Sequence, residues 1–210
     1  AAARRFVASV ERDANGTTQR GAPNAALAPL PPFLPESYSD ALQRAKHEHC
    51  ILAVILSSRV HADDAYFRTQ VLTDRRLVDA LSTRDFVVWG GCVQDREAHR
   101  VSALLEASTY PFVAFIALQP RRSRTSPVIT SKAAVLSRIE GSPRHATSAG
   151  MLVAHIHDVL LPRTLPYLER LRAERRRRES ERALMAEQDR AYEETARRDA
   201  ARVLHARAES

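Results

Sequence analysis

The side chains of this 210-residue chain that could do chemistry are two thiols, eight imidazoles and two clusters of guanidinium groups. Cys50 and Cys92 lie far apart, with neither the Cys-x-x-Cys pairing of a dithiol exchange centre nor the spacing of a metal site. Cys50 heads the apolar run Ile51–Leu56 and Cys92 follows the run Phe86–Trp89, which predicts buried free thiols in a reducing compartment. His47, His49, His61, His99, His145, His155, His157 and His205 are scattered. His155 and His157 are two positions apart and so face different sides of a helix. No metal triad and no cofactor is expected. Arg121, Arg122 and Arg124 cluster after an apolar run, and Arg175, Arg176, Arg177 and Arg178 form an unbroken cationic stretch. Guanidinium forks of this kind suit carboxylates and other acidic groups. No residue is nominated as catalytic.

The formal net charge of +7 is divided evenly, +4 up to Pro162 and +3 beyond it. Nucleic-acid binding calls for one basic face, so no nucleic-acid partner is expected. The balance suits acidic partners or anionic head groups. The longest apolar run, Phe112–Leu118, is far short of the ~20 residues that cross a bilayer. The chain opens on Ala1 rather than Met and carries no signal-peptide pattern, so it is expected to be a piece of a longer protein.

These groups need elements to place them. Residues 1–12 have Phe6, Val7 and Val10 at helical spacing, and 13–32 read as a linker ending in Pro31-Pro32. A helix begins at Ser37-Tyr38-Ser39-Asp40, where Ser37 can cap. Ile51–Leu56 is a continuous apolar run and predicts a strand buried on both faces. Helices follow over 63–72 and 74–82, a strand over Phe86–Trp89, a helix over 95–107 and a strand over Phe112–Leu118. The polar stretch 119–131 reads as a loop, 134–139 as an edge strand and 147–161 as an amphipathic helix. Alternating strands and helices predict an α/β domain with a mixed, mostly parallel sheet.

The tail is different. From Pro162 and Pro166 to about Arg207 it contains neither Gly nor further Pro, and 11 of the 14 residues from Glu169 to Arg182 are charged. Glu174/Arg178, Glu193/Arg197 and Glu194/Arg198 are forward i,i+4 pairs. Leu168 and Leu171 begin a heptad seam that Arg175, Arg178 and Arg182 interrupt. The expectation is a long charged helix over 163–210.

Three stretches, taken together, resemble a known family: FLPESYSDALQRAKHEHCILAVILSS (33–58), HRVSALLEASTYPFVAFIAL (99–118) and LERLRAERRRRESERALMAEQDRAYEETARRDAAR (168–202). They are similar to the UAS domain and following coiled-coil segment of the FAS-associated factors, members of the UBX-domain-containing family, and to the factor 2 branch in particular. The resemblance implies a thioredoxin-like UAS domain over 33–162, preceded by a helix and linker at 1–32 and followed by the long helix at 163–210. It also implies a non-enzymatic adaptor for the valosin-containing-protein type of AAA+ ATPase in ubiquitin-dependent, ER-associated degradation. Ubiquitylated substrates would be partners, and the place of work the cytosolic face of the endoplasmic reticulum or lipid droplets. The UBX domain that makes the main ATPase contact in that family is not among these residues, nor is the membrane hairpin of the factor 2 branch.

In such a fold a catalytic Cys-x-x-Cys occupies the turn after the first strand. Here that turn is Ser57-Ser58-Arg59-Val60-His61-Ala62-Asp63-Asp64, which has no thiol and whose two aspartates are expected to cap the next helix. Pro111 is the structural cis-proline candidate. Arg121, Arg122 and Arg124 are candidates for holding the carboxylate of a long-chain unsaturated fatty acid, a ligand this branch implies; self-association is a further expectation. Arg175–Arg178 are candidates for an acidic partner surface. Around Ala191, Tyr192 and Thr195 the helix resembles a ubiquitin-interacting segment, except that Gln188 stands where an apolar residue belongs and the preceding acidic run is missing. Two other readings remain open at this point: a thioredoxin-like redox protein or chaperone acting through Cys50 or Cys92, and a basic helix binding nucleic acid.

Overall fold

The computed structural model describes residues 2–18, 28–122 and 129–208, with side chains over 2–16, 28–121 and 130–198. In chain order the elements are α1 (Ala2–Thr18), α2 (Tyr38–Glu48), β1 (Ile51–Ser57) and α3 (Asp64–Tyr66), which runs into a π-helical turn at Phe67–Val71. Then come α4 (Arg75–Leu81), β2 (Phe86–Cys92), α5 (Arg96–Leu104), β3 (Phe112–Arg122) and β4 (Ile129–Glu140). Finally α6 (Ala149–Ala154) continues through a π-helical stretch, His155–Leu160, into α7 (Leu161–Ala208).

The apolar run of β1 has no polar face, and every one of its residues is buried at the interior of a sheet ordered β2-β1-β3-β4. β1 and β2 are parallel, from Ile51 beside Phe86 to Ser57 beside Cys92. β3 is antiparallel to β1 and to β4. The sheet is mixed, as expected, but one pairing of the three is parallel, where the sequence led to a mostly parallel sheet. The reason is the reach of α5. Its 9 residues advance about 14 Å, and residues 105–111 bring the chain back to the end where β2 stopped. Phe112 therefore enters beside Leu56, and β3 must run the other way. A βαβ unit followed by a β-hairpin and a helix defines the thioredoxin-like arrangement.

Successive strand residues point to opposite faces. Leu52, Val54, Leu56, Val87, Trp89 and Phe112 pack with Ala41 and Ala45 of α2 and with Ala98 and Val101 of α5. The other face takes α1 and the stretch after α6: Phe6 lies against Gly90, and the His155 ring stacks on Phe115. α2 begins where expected, with Ser37 Oγ accepting from the Asp40 amide at 3.2 Å, and ends at His49 in a left-handed conformation (φ 54°).

The amino-terminal helix differs most from expectation. It continues to Thr18, through residues read as linker, and Phe6 and Val10 are buried in the core. Of the other linker positions, 19–27 lie outside the described residues and 28–32 are neither helix nor strand. The stretch 119–131 also departs: β3 runs on to Arg122 and β4 starts at Ile129, so a two-stranded ribbon replaces most of a loop. Pro120 is accommodated in that ribbon opposite Ser131.

Helix α7 joins α6 without interruption. Pro162 has no N–H to give the preceding turn, and the widened π-helical stretch ending at Leu160 lies directly before it. Thr164 and Leu168 are buried, so the first turns of α7 belong with the compact unit Ala1–Glu169; Arg170–Ser210 forms the second unit. Along α7, Glu174 pairs with Arg170 at 3.2 Å rather than with Arg178, having an arginine four residues away on each side. Arg197–Glu193 and Arg198–Glu194 pair at 3.6 and 3.4 Å. Such exposed pairs contribute a few tenths of a kcal/mol each.

Candidate functional site

The turn after β1 is where a thioredoxin-like fold would do its chemistry, and its groups are turned toward the protein. Val60 projects into solvent at 86% exposure, while Ser57, Ser58 and Asp64 are buried. Gln94 spans the corner. Its Nε2 donates to Ser58 Oγ at 3.1 Å, and its Oε1 accepts from the Arg59 amide at 3.3 Å and from Cys92 Sγ at 2.7 Å. Cys92 thus stands beside the corner, but at 4% exposure with its thiol hydrogen committed. Cys50 lies at the opposite end of β1, buried, donating toward the Arg84 carbonyl at 3.2 Å.

The helix after the turn is not built to activate a nucleophile either. Asp63 stands at its cap position without a side-chain cap hydrogen bond, and only Asp64–Tyr66 are α-helical before the turn widens. The expected capping by the two aspartates is therefore corrected: Asp64 instead faces Arg68 at 3.5 Å. Four residues along a helix bring such a pair together, and burial gives it weight. The Leu72 amide reaches back five residues to the Phe67 carbonyl, the signature of the π-helical turn.

Arg68 is the side chain that sequence reasoning missed. It is 2% exposed, packs against the Phe6 ring, pairs with Asp13 at 2.9 Å and donates to Ser9 Oγ at 2.6 Å. Arg59 donates to the same hydroxyl at 2.9 Å. Two guanidinium groups from the corner therefore hold α1 across the flank of the turn. The Asp64/Arg68 spacing was the available signal; what it could not reveal was the partner helix. Among the described residues no group of His, Cys, Asp and Glu is arranged to hold a metal, and no helix is long and apolar enough to cross a membrane.

The other sequence candidates are dispersed. The Tyr110–Pro111 peptide is cis and immediately precedes β3. Glu140 accepts from the Ser108 hydroxyl and from the Ser108 and Thr109 amides, which ties down the segment leading to that proline. Arg121 is exposed on β3 opposite Thr130, Arg122 is the last residue of β3, and Arg124 lies outside the described residues. On α7, Arg175 pairs with Glu179 and Arg177 with Glu181, while Arg176 and Arg178 are exposed with no ion pair among the described residues. Gln188, Ala191 and Tyr192 are exposed, Tyr192 at 78%, and the Thr195 hydroxyl donates to the Ala191 carbonyl at 2.9 Å. Leu184 and Met185 add further exposed apolar surface to α7.

These features define a class: a thioredoxin-like domain with a closed, thiol-free corner, carrying a long charged helix. Comparison with known proteins agrees on the family. The chain is 30% identical over 170 residues to plant UBX domain-containing protein 10 of Arabidopsis thaliana, covering 81% of this chain and 32% of that protein. It is 28% identical over 167 residues to UBX domain-containing protein 10 of Schizosaccharomyces pombe, covering 80% and 36%. It is 30% identical over 169 residues to human FAS-associated factor 2, covering 80% and 34%. Over about four fifths of its own length the chain is homologous to UBX-domain-containing proteins and FAS-associated factor 2, and it spans about a third of the length of these relatives. No protein-family model matches it. Among solved structures, a thioredoxin from Thermus thermophilus aligns over 62% of this chain and 87% of its own, at a TM-score of 0.47 and 18% identity. The fold assignment rests on the strand order and directions described above.

Proposed function

We propose that this chain is the UAS domain and contact helix of a non-enzymatic adaptor for a valosin-containing-protein type AAA+ ATPase in ubiquitin-dependent, ER-associated degradation. The place of work in this reading is the cytosolic face of the endoplasmic reticulum or of lipid droplets. The observation that carries the reading is the corner itself. A thioredoxin-like scaffold whose nearest thiol is buried and bonded to Gln94 has surfaces to offer, not a nucleophile. Homology to UBX-domain-containing proteins and FAS-associated factor 2 supports the class of partner. In α7, the exposed Arg176, Arg178, Leu184, Met185 and Tyr192 provide charge and apolar area for an acidic protein surface. A long-chain unsaturated fatty acid with its carboxylate at Arg121, Arg122 and Arg124 belongs to the same reading.

The test immobilises the full chain and measures retention of the purified ATPase and of ubiquitin chains. Salt-sensitive retention, reduced by Arg176→Glu with Arg178→Glu and by truncation after Glu169, supports the contact-helix reading. Retention unaffected by either change, together with measurable reduction of insulin disulfides, would transfer the function to redox chemistry. Oleate-induced assembly unchanged after replacing Arg121, Arg122 and Arg124 with Ala would remove the fatty-acid part.

A further inference from the structure

We propose that Ser180 on α7 is a phosphorylation site for an arginine-directed serine kinase. Arg175–Arg178 and then Glu179 precede it. It is the one serine or threonine of the sequence with arginine at both the second and the third position before it. Two guanidinium groups at that spacing suit a kinase whose substrate groove carries carboxylates, because such enzymes select by the pattern of charge around the acceptor. Thr147 has Arg144 three residues before it, but it is fully buried and its hydroxyl donates to the Gly141 carbonyl at 2.8 Å.

Access favours Ser180. It is exposed, and so is every residue from Arg176 to Arg198. It belongs to the unit Arg170–Ser210. A kinase takes its acceptor in an extended segment, so a few turns of the helix must open. Helices in proteins owe most of their stability to packing, and the side chains around Ser180 face solvent. Opening there breaks exposed ion pairs such as Arg177–Glu181, at 2.9 Å, rather than core contacts. Such segments lie at the low end of the range of local unfolding energies.

The transfer balances with ATP as the co-reactant. The Ser180 Oγ bonds to the γ-phosphorus, and the bond from that phosphorus to the β-phosphate oxygen breaks. ADP leaves, and the hydroxyl proton passes to the kinase's catalytic carboxylate. The product suits its place. Arg176 and Arg177 stand four and three residues earlier, on the same face of the helix, where a phosphate can accept from both. Arg176 is exposed, and Arg177 would exchange Glu181 for the stronger acceptor. Residues 175–182 hold five arginines and two glutamates, a charge of +3, which a phosphate of roughly −2 lowers to about +1. The modification thus discharges the cationic stretch. That this would weaken the grip on an acidic partner rests on the contact-helix reading; the site itself does not.

The experiment incubates the full chain with Mg-ATP and the catalytic subunit of cyclic-AMP-dependent protein kinase, and in parallel with an acid-directed casein kinase. Peptide mass mapping locates the phosphate, and its phosphorus resonance follows its titration. The expected result is stoichiometric phosphate at Ser180 with the first kinase and none there with the second. Ser180→Ala abolishes it. Arg177→Ala with Arg178→Ala slows it at least about tenfold and leaves the melting temperature of the domain unchanged. The phosphoserine is expected to titrate below its ordinary value of about 6, and closer to that value in Arg176→Gln. Phosphate confined to other residues, or incorporation at Ser180 indifferent to the arginine pair, overturns the proposal. Retention of the ATPase unchanged by full modification counts against the contact-helix reading and leaves the mapped site standing.

Discussion

Arg68 and Ser9 are 59 positions apart, and the Arg68 guanidinium donates to the Ser9 hydroxyl at 2.6 Å in the interior of the protein. This bond joins the helix after the thioredoxin-like corner to an amino-terminal helix that is no part of the strand-and-helix pattern. With Asp13 and Asp64 completing the charge balance, Arg68 converts α1 from an appendage into a wall of the domain. Removing the arginine leaves Asp64 buried without its cation. Arg68→Met is therefore expected to destabilise by about 3–5 kcal/mol, and Arg68→Met with Asp64→Leu to recover much of that loss. Denaturant unfolding of the two variants checks both values.

Gly90 is the second anchor of α1. A Cβ built there would meet the Phe6 ring at 2.2 Å and the Phe33 ring at 2.9 Å. Gly90→Ala should force both rings outward at roughly 1–3 kcal/mol. Limited proteolysis is expected to cut α1 sooner in this variant, and Phe6→Leu with Gly90→Ala should slow that cutting again.

Acid should loosen the segment before Pro111. The Ser108 hydroxyl holds the Glu140 carboxyl below its usual range, helped by the Ser108 and Thr109 amides and the Arg138 charge and opposed by partial burial. A depressed folded pKa means the contribution is complete above the unfolded value, about 4.3, and is lost as pH falls through the folded one. His155 acts in the same direction nearer neutrality. Burial, and then the Arg163 charge, lowers its pKa, so the unfolded chain binds the proton more readily and stability falls as pH drops below about 6.5. Melting temperature against pH should thus show two steps. Glu140→Gln should flatten the more acidic one, and His155→Gln the other.

The boundary between domain and arm falls inside α7. Leu168 is fully buried and Thr164 nearly so, whereas the second compact unit begins at Arg170. Truncation after Glu169 is expected to leave the melting temperature of the domain within a degree or two. Truncation after Pro162 should lower it sharply, and Leu168→Ala alone should destabilise by about 2–5 kcal/mol. Thermal unfolding of the three variants decides the point.

Much of this was legible in the residues, for local reasons. A short apolar run with no polar interruption and several branched residues suggests an interior strand, and Ile51–Ser57 is one. Ser37 with Asp40 announces a helix start and makes one. The separation of the two cysteines showed that the chain has no Cys-x-x-Cys pairing, without reference to any fold. The run of Arg, Glu, Ala and Leu after Pro166 fixed a long helix, because each residue favours it and i,i+4 charges support it.

Tertiary structure decided the rest, wherever a residue's role depends on something distant in the chain. No local pattern shows that α1 docks on Gly90, since the requirement lies in β2 and the ring that needs the space lies in α1. The direction of β3 depended on how far a short helix carries the chain before it turns back. Arg68 and Thr164 look like surface residues in sequence, and only the packing of another element over each makes one a latch and buries the other. Local propensity acts over a turn or two, while burial is set by the whole chain at once.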